Sequence, residues 1–329
     1  MSTMKVAERR RLGHSSVPVT ALSFGSAAVG GLYAPVPREQ STATVRRALE
    51  LGVRYLDTAP HYGAGTAERR LGAVLADEPR ASFTISTKVG RLLRPRRAGE
   101  APDDSGFPAE PAVKREWDFS ADGIRRSLES SLERLGLDRV DIVFLHDPDD
   151  HEDQVYAAAF PALANLRDQG VVGAIGAGMN QSPMLARFVR RLDLDVVLCA
   201  GRYTLLEQPA LDDLLPACAE HGTSVVVGGV YNSGLLAGGT TYDYRSAPPE
   251  LMERTARLRQ ACHAHGVPLR AAALRFPFGH PSVASVLTGC RTPDEAEDNA
   301  ALFERDIPAS LWKDLLAAGL LPAGAPLPA

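Results

Sequence analysis

The chain has 329 residues, of which 45% are hydrophobic and 23% are charged, and its formal net charge is −4. This composition is typical of a globular protein with a sizeable core, and the mixed charges exclude a field that attracts nucleic acid or an anionic membrane. The four cysteines are scattered without a CxxC pair, which favours reduced thiols. Because the sequence has no apolar leader and no run of transmembrane length, we expect a soluble cytoplasmic protein.

Eight short, mostly apolar runs predict β-strands along the chain. Each run is bounded by turn residues and is mostly apolar, which is typical of strands that are covered on both sides. The runs span residues 20–24, 53–57, 82–87, 141–145, 172–176, 195–199, 224–228 and 284–289.

Helical patterns alternate with these strands. In residues 121–137, apolar side chains recur at steps of four and three from Ile124 to Leu135, with Ser120 as a capping residue and Gly136 as a stop. Similar patterns occupy residues 41–52, 67–77, 154–170, 211–222 and 249–266. The alternation predicts an α/β protein that folds as one (β/α)8 TIM barrel over residues 1–329. A doubly wound sheet is the alternative, but the turn after the first strand lacks its GxGxxG pattern.

Two segments interrupt the alternation. Residues 91–118 form a long insertion rich in Pro, Gly and charge after the third strand, at the catalytic face of a barrel. This insertion is interpreted either as a lid or pocket wall or as a surface loop, and Phe107, Trp117 and Phe119 favour a packed wall. Residues 312–329 hold one extra helix and a Pro-rich tail.

In a barrel, catalytic groups lie at the carboxyl ends of the strands. The second predicted strand ends at Asp57, with Tyr62 just beyond it, the third places Lys88 at its end, and the fourth is followed by His146. An acid, a phenol, an ammonium and an imidazole are therefore expected to face one cavity from three adjacent strands.

These four residue types suit an exchange between a carbonyl and an alcohol. A phenol titrates near 10, too high for a base at neutral pH, but the charge of Lys88 favours the phenolate of Tyr62. Asp57 would hold Lys88 charged and in place, and His146 would hydrogen-bond the oxygen that gains or loses the proton. Tyr62 is then the general acid or base, and a hydride passes to or from a cofactor.

Each residue also has a structural alternative, because Asp57 alone suits a helix cap, Lys88 a solvated strand end and His146 a structural histidine. The catalytic interpretation depends on their joint placement. A metal site is a rival hypothesis, because residues 146–153, HDPDDHED, are rich in possible ligands. A metallohydrolase, however, needs ligands from several strand ends. We interpret these acids as favouring the start of the helix near Gln154, and we predict no metal.

The motifs that contain these residues resemble the aldo-keto reductase superfamily, with its tetrad of Asp, Tyr, Lys and His. The similar segments are 10–25, which resembles the family's N-terminal hairpin and first strand, 56–63, 87–90, 124–146, 232–238 and 289–299. The resemblance implies oxidation or reduction of a carbonyl or alcohol with a nicotinamide cofactor, bound in extended form across the strand ends.

Several further segments resemble the bacterial sugar-dehydrogenase branch of this family, which holds L-fucose dehydrogenase, D-threo-aldose 1-dehydrogenase and pyridoxal 4-dehydrogenase. They are residues 146–151, 174–181, 200–218, 225–237 and 308–315. This branch implies oxidation of the anomeric hydroxyl of an aldose such as L-fucose to a lactone, with Tyr62, His146 and Trp117 at the substrate. The alternatives are pyridoxal 4-dehydrogenase activity, general aldehyde or ketone reduction, and a non-catalytic binding subunit.

The resemblance also implies cofactor contacts. Met179 stands where the family places Ser before Asn180, and Ala200 and Gly228 replace its Gln and its stacking aromatic, so nicotinamide placement is expected to use other groups such as Arg202 or Tyr203. For Tyr203 a core aromatic is an equal alternative. The remaining residues assigned to the cofactor are Gly25, Ser26, Asp57, Tyr231, Asn232, Ser233, Gly234, Arg291, Glu295, Asp298 and Asn299.

The adenine side of this cofactor site predicts a preference for NAD. Glu295 stands where members that prefer NADP often carry Arg, and Gly289 replaces a Lys. A carboxylate repels a 2′-phosphate and accepts hydrogen bonds from a ribose hydroxyl. NADP stays the alternative because Arg291 lies nearby in the sequence.

Overall fold

A computed structural model describes residues 4–101, 107, 112–243 and 245–328. The strands in this part of the chain are β1 (Arg9–Arg11), β2 (Pro18–Thr20), β3 (Leu22–Gly25), β4 (Tyr55–Asp57), β5 (Thr84–Val89), β6 (Arg91–Pro95), β7 (Val113–Trp117), β8 (Ile142–His146), β9 (Ala174–Met179), β10 (Val196–Ala200), β11 (Ser224–Gly228), β12 (Thr241–Tyr242), β13 (Arg245–Ser246) and β14 (Val283–Gly289). Eight of them, β3, β4, β5, β8, β9, β10, β11 and β14, pair in that order as parallel neighbours, and β14 pairs with β3 to close a barrel.

Helices connect the barrel strands. They are α1 (Arg38–Glu50), α2 (Thr66–Leu75), α3 (Ala121–Leu135), α4 (Glu152–Gln154), α5 (Phe160–Asp168), α6 (Ser182–Arg191), α7 (Leu214–His221), α8 (Pro249–Ala264), α9 (Leu269–Arg275), α10 (Pro293–Phe303) and α11 (Ala309–Ala317). A π-helical turn, Val155–Ala159, joins α4 to α5. Among the described helices, none has the length and apolar character that crossing a membrane requires.

The core has two parts, which explains why the strand sequences are apolar on both faces. Side chains such as Tyr55, Ile142, Phe144 and Val196 fill the barrel interior. The opposite faces of the strands pack against the helices in a larger cluster that includes Leu56, Leu145 and Val197 on the strands.

The predicted TIM barrel is confirmed, and each predicted strand overlaps one barrel strand, with bounds that differ by up to three residues. Helix α3 begins and ends where its signals indicate. The Ser120 hydroxyl accepts a hydrogen bond of 3.0 Å from the Gly123 N–H, and Gly136 adopts a φ of 64°. The N-terminal hairpin, β1 with β2, and the extra C-terminal helix α11 are also present.

The insertion at residues 91–118 contains an element that the sequence pattern did not reveal. Strands β6 and β7 form an antiparallel ribbon in which Arg91 pairs with Trp117. Its sequences, RLLRP and VKREW, lack strict alternation. Partly exposed cross-strand contacts, such as Arg94 Nε to Glu116 Oε2 at 2.5 Å, accompany the backbone pairing. Of the interior of the insertion, residues 102–106 and 108–111 lie outside the described part.

Candidate active site

Three neighbouring strands bring the predicted tetrad together. Asp57 is the last residue of β4, Lys88 lies near the end of β5, and His146 is the last residue of β8. Strand β4 pairs with β5, and β5 pairs with β8, so the three side chains share one end of the barrel. Asp57, Lys88 and His146 are buried, with exposed fractions of 1%, 2% and 5%. Tyr62 follows β4 in the loop before α2 and is half-buried.

Asp57 and Lys88 form a buried ion pair. Lys88 Nζ donates to Asp57 Oδ2 at 2.5 Å and to the Thr58 carbonyl oxygen at 3.0 Å, while the Ser86 hydroxyl donates to Asp57 Oδ1 at 2.6 Å. Burial by itself lowers the pKa of Lys88, but the charge of Asp57 and contact with Tyr62 outweigh it, so this pKa is raised. Lys88 is therefore a fixed cation.

The cation lies beside the phenol of Tyr62. Lys88 Nζ is 4.7 Å from the centroid of the Tyr62 ring. Burial raises the pKa of Tyr62, and the charge of Lys88 lowers it without cancelling the effect of burial. Lys88 thus lowers the pKa of Tyr62, as expected. The net pKa of Tyr62 is nevertheless raised, because desolvation of the phenolate is the larger effect.

His146 completes the group as a neutral imidazole. Its ring centroid is 5.8 Å from that of Tyr62, and the two rings meet edge to face. Burial lowers the pKa of His146 well below its usual value, and the charges of Arg91 and Lys88 lower it further. Its Nδ1 has no hydrogen-bond partner among the described residues. A neutral ring can both donate to and accept from a substrate oxygen.

The insertion supplies one wall beside the tetrad, as its aromatic residues suggested. Phe107 stacks on Tyr62 with a centroid distance of 5.8 Å, and Phe119 stacks on Trp117 at the same distance. Trp117 is 44% exposed and lines a cavity of about 280 Å³ that includes Arg91 and Asn180. These contacts favour the pocket wall over a surface loop.

Sequence reasoning missed two residues of this wall. Arg91 Nη2 contacts Asp147 Oδ2 at 2.5 Å, and both side chains line the cavity. Their positions in the sequence could have indicated a role at the site. Arg91 begins the segment after the third strand, and Asp147 directly follows His146. Charge at two adjacent strand ends suggests a pair, but only the ribbon of β6 and β7 turns Arg91 toward Asp147.

Two of the acids after His146 lie at the start of a helix, as expected, although its N-cap residue, His151, makes no side-chain capping hydrogen bond. Glu152 and Asp153 lie in the first turn of α4, and Glu152 pairs with Arg187 at 2.7 Å. Asp149 accepts a hydrogen bond from Gln181. Within the described ranges, no three His, Cys, Asp or Glu side chains are arranged to hold a metal ion.

The residues assigned to a cofactor lie along the same barrel end. Gly25 is in register with Asp57 on one side and with Gly289 on the other. The Ser26 N–H donates to the Asp57 carbonyl oxygen at 3.0 Å, and the buried Ser26 hydroxyl has no hydrogen-bond partner in the described part of the chain. Asn180 follows β9 and is exposed to the cavity.

Tyr203 lies in the core. Its side chain is fully buried and packs against Phe276 at a centroid distance of 5.3 Å and against His280 at 6.3 Å. This environment is that of a core aromatic, although the Tyr203 hydroxyl has no hydrogen-bond partner among the described residues. A contact between Tyr203 and the nicotinamide stays a prediction. Arg202, the other group considered there, forms an ion pair of 2.6 Å with Asp243.

The loop after β11 has an unusual backbone. Asn232, Ser233 and Gly234 have successive left-handed φ values of 46°, 56° and 98°, and the N–H groups of Asn232 and Gly234 donate to the Gly229 and Tyr231 carbonyl oxygens at 2.8 Å and 3.0 Å. Both polar atoms of the buried Asn232 amide lack a hydrogen-bond partner among the described residues. Buried polar groups are normally satisfied, so an orphaned amide beside the strand ends fits a group that binds there.

The adenine-side residues are linked in pairs. Glu295 accepts hydrogen bonds from the Arg291 N–H at 2.7 Å and from its guanidinium at 3.1 Å. Asp298 pairs with Arg270 at 2.5 Å. Asn299 accepts a 2.8 Å hydrogen bond from the hydroxyl of Tyr231, and its amide contacts the Cys290 sulfur at 3.3 Å.

The model of the Aldo/keto reductase family matches residues 21–318. The chain belongs to this family. As an aldo/keto reductase it is an oxidoreductase with a nicotinamide cofactor. The buried polar atoms of Ser26 and Asn232, which lack a hydrogen-bond partner among the described residues, suit such a ligand.

Two relatives support the assignment to this family, and one solved structure shows the same fold. The chain is 46% identical over 317 residues to a D-threo-aldose 1-dehydrogenase from Pseudomonas sp, covering 94% of this chain and 96% of that one. It is 39% identical over 340 residues to a pyridoxal 4-dehydrogenase from Microbacterium luteolum, covering 97% and 99%. The structure of an aldo-keto reductase from Bacillus halodurans has the same fold, with a TM-score of 0.76, 24% identity and coverage of 97% and 98%.

Proposed function

We propose that this aldo/keto reductase is an NAD-linked aldose 1-dehydrogenase, which oxidises the anomeric hydroxyl of a cyclic aldose to a lactone. The D-threo-aldose 1-dehydrogenase relative supports the substrate class. The observation that carries the reaction type is the placement of the buried Lys88 Nζ between Asp57, at 2.5 Å, and the Tyr62 ring, at 4.7 Å. A fixed cation beside a phenol is the arrangement that proton transfer from an alcohol requires.

In the proposed reaction, Tyr62 and His146 hold the anomeric oxygen between them. The hydroxyl proton passes to the Tyr62 oxygen as the C1–O bond gains double-bond character, and C1 loses its hydrogen with both electrons. NAD, held at the strand ends by residues such as Ser26 and Asn232, would supply the acceptor for this hydride, so that the lost C–H and O–H bonds would be replaced by the lactone carbonyl. Lys88 stabilises the phenolate form before the transfer, and Asp57 keeps Lys88 charged.

The lining of the cavity supports a sugar such as L-fucose. Apart from the Trp117 ring, the groups around it are hydrogen-bonding side chains, including Arg91, Asp147, Asn180 and Gln181. A sugar presents several hydroxyls, which need such partners, whereas a pyridine ring needs mainly aromatic faces. Pyridoxal is the second candidate substrate, because one relative is a pyridoxal 4-dehydrogenase.

Glu295 supports NAD as the preferred cofactor. Its carboxylate engages Arg291 through both the backbone N–H and the guanidinium, so the positive charge of Arg291 is compensated. An incoming 2′-phosphate would meet this carboxylate, whereas a ribose hydroxyl would donate to it.

A single panel tests the proposed function. NADH or NADPH formation at 340 nm is measured with L-fucose, D-arabinose, other aldoses and pyridoxal, using each cofactor. We expect the highest kcat/KM with an aldose and NAD, and a lactone as the product. Turnover confined to pyridoxal, or to aldehyde reduction, contradicts the aldose assignment, and no turnover of any substrate favours a non-catalytic binding subunit.

A further inference from the structure

The cavity lined by Asp147, the residue that directly follows His146, has a defined size and composition. Its volume is about 280 Å³, near the lower end of the roughly 300–1,000 Å³ of small-molecule sites. The lining combines one aromatic ring with charged and amide side chains: Arg91, Trp117, Asp147, Asp149, Asp150, His151, Asn180 and Gln181. This space suits one small polar molecule.

Arg91 is held in this cavity with donors to spare. Its guanidinium lies 4.1 Å above the Trp117 ring and contacts Asp147 through Nη2 at 2.5 Å. The Arg91 side chain is 13% exposed, and its Nε is buried without a hydrogen-bond partner among the described residues. A guanidinium has five N–H donors, more than Asp147 uses, and one that is held in a fixed plane is preorganised for an oxygen atom of a ligand.

Asp147 is fixed next to the catalytic imidazole. Its backbone has a φ of 41°, a left-handed conformation that is uncommon for a residue other than glycine, and its N–H donates to the Gly178 carbonyl oxygen at 3.0 Å. This conformation keeps Asp147 Oδ2 within 3.5 Å of His146 Nε2. Such backbone strain commonly occurs at functional sites, because it holds a side chain where an ordinary conformation would not.

We infer that Arg91 and Asp147 bind the hydroxyl at carbon 2 of the sugar and so determine which aldose configuration is accepted. The inference rests on the proposed function, in which Tyr62 and His146 hold the hydroxyl at carbon 1. Carbon 2 is bonded to carbon 1, and Asp147 Oδ2 lies 3.5 Å from His146 Nε2. A sugar whose carbon 1 hydroxyl contacts His146 therefore brings its carbon 2 hydroxyl near Asp147. A hydroxyl both donates and accepts hydrogen bonds. Arg91 can therefore donate a hydrogen bond to it while Asp147 accepts one from it.

The name of one relative fits this assignment. A D-threo-aldose has a defined configuration at carbons 2 and 3, so an enzyme that selects it must distinguish the orientation of the carbon 2 hydroxyl. A rigid charged pair does so, because a misplaced or missing hydroxyl leaves the buried donor and acceptor without their partner.

Three pentoses test the inference on the intact enzyme. D-arabinose has the D-threo arrangement, 2-deoxy-D-arabinose (identical to 2-deoxy-D-ribose) lacks only the carbon 2 hydroxyl, and D-ribose inverts it. We expect kcat/KM with NAD to be about 10- to 100-fold higher for D-arabinose than for either of the others, the range of one charged hydrogen bond.

Substitutions then locate the source of this selectivity. In Arg91→Met and in Asp147→Asn, the ratio of kcat/KM values between D-arabinose and its 2-deoxy analogue should fall to within about threefold of unity. Arg94→Met is the matched control. Arg94 lies three residues along β6 and pairs with Glu100 and Glu116, so the substitution removes the same charge and should leave the ratio at the wild-type value. A purely structural loss lowers both values equally and cancels in the ratio.

The outcomes separate the two proposals. A wild-type ratio near unity, or an unchanged ratio in both Arg91→Met and Asp147→Asn, overturns the carbon 2 assignment while aldose oxidation stands. Absence of wild-type turnover on every aldose overturns the proposed function and this inference with it.

Discussion

The tetrad and the adenine-side segment at residues 289–299 both depend on charged pairs, but they differ in setting. Lys88 and Asp57 are almost completely buried on adjacent strands. Arg291 and Glu295 are 50% and 38% exposed and lie on one side of a helix start. Buried charges interact strongly and are costly to separate, whereas water and salt weaken exposed pairs. We therefore expect substitutions in the tetrad to abolish function and substitutions at the adenine side to shift only cofactor choice.

The largest expected effect belongs to Tyr62→Phe. Removal of the hydroxyl eliminates proton transfer, so kcat for aldose oxidation should fall about 10³-fold or more. NAD affinity, measured by fluorescence titration, should change less than threefold. Tyr156→Phe is the matched control, because its hydroxyl contacts Glu152 outside the tetrad. A kcat within tenfold of the wild type would falsify the assignment of Tyr62 as the proton acceptor.

Lys88→Met should impair both activity and stability. The variant leaves the buried Asp57 carboxylate without its cation, which costs about 3–5 kcal/mol of unfolding free energy, measurable by urea denaturation. The double variant Asp57→Asn with Lys88→Met should regain part of that stability while kcat stays low. If the double variant is less stable than Lys88→Met alone, the buried ion pair is not the reason for the loss.

The pH dependence should differ between the two reaction directions. Because burial raises the pKa of Tyr62 more than Lys88 lowers it, the deprotonated form needed for oxidation grows as pH rises. Oxidation kcat/KM should therefore increase between pH 7 and pH 10, whereas carbonyl reduction, which needs the phenol, should stay nearly level. The lowered pKa of His146 predicts no loss of activity between pH 6.5 and 8. A flat oxidation profile would contradict the phenol as the titrating base.

The smallest expected effect is that of Glu295→Arg. Replacing the carboxylate with a second cation beside Arg291 should raise the ratio of kcat/KM for NADP to that for NAD by about tenfold, equivalent to about 1.4 kcal/mol. Glu297→Arg makes the same change of charge two residues along α10, where the carboxylate pairs with Arg47, and should leave the ratio unchanged. Equal shifts in both variants would indicate a general charge effect rather than recognition of the phosphate.

The elements that could be predicted are those whose signals are local. The barrel strands are apolar on both faces, and Ser120 and Gly136 mark the ends of α3 through their own hydrogen bonds and backbone conformation. Helices α6, α9 and α10 were not among the helical patterns recognised in the sequence, because each is short or begins next to a strand-end motif. The position of Tyr203 was ambiguous because the packing partners that bury it come from residues 276 and 280.

The sequence by itself determined the order of strands and helices and the polar residues at the strand ends, because apolar runs, turn residues and capping residues are properties of neighbouring residues. Its motifs also carried the resemblance to the family. The tertiary structure alone decided three matters. It made burial outweigh Lys88 at Tyr62, placed Tyr203 in the core, and brought Arg91 onto Asp147 through the ribbon of β6 and β7. Desolvation and contact depend on what surrounds a side chain, and those surroundings come from distant parts of the chain.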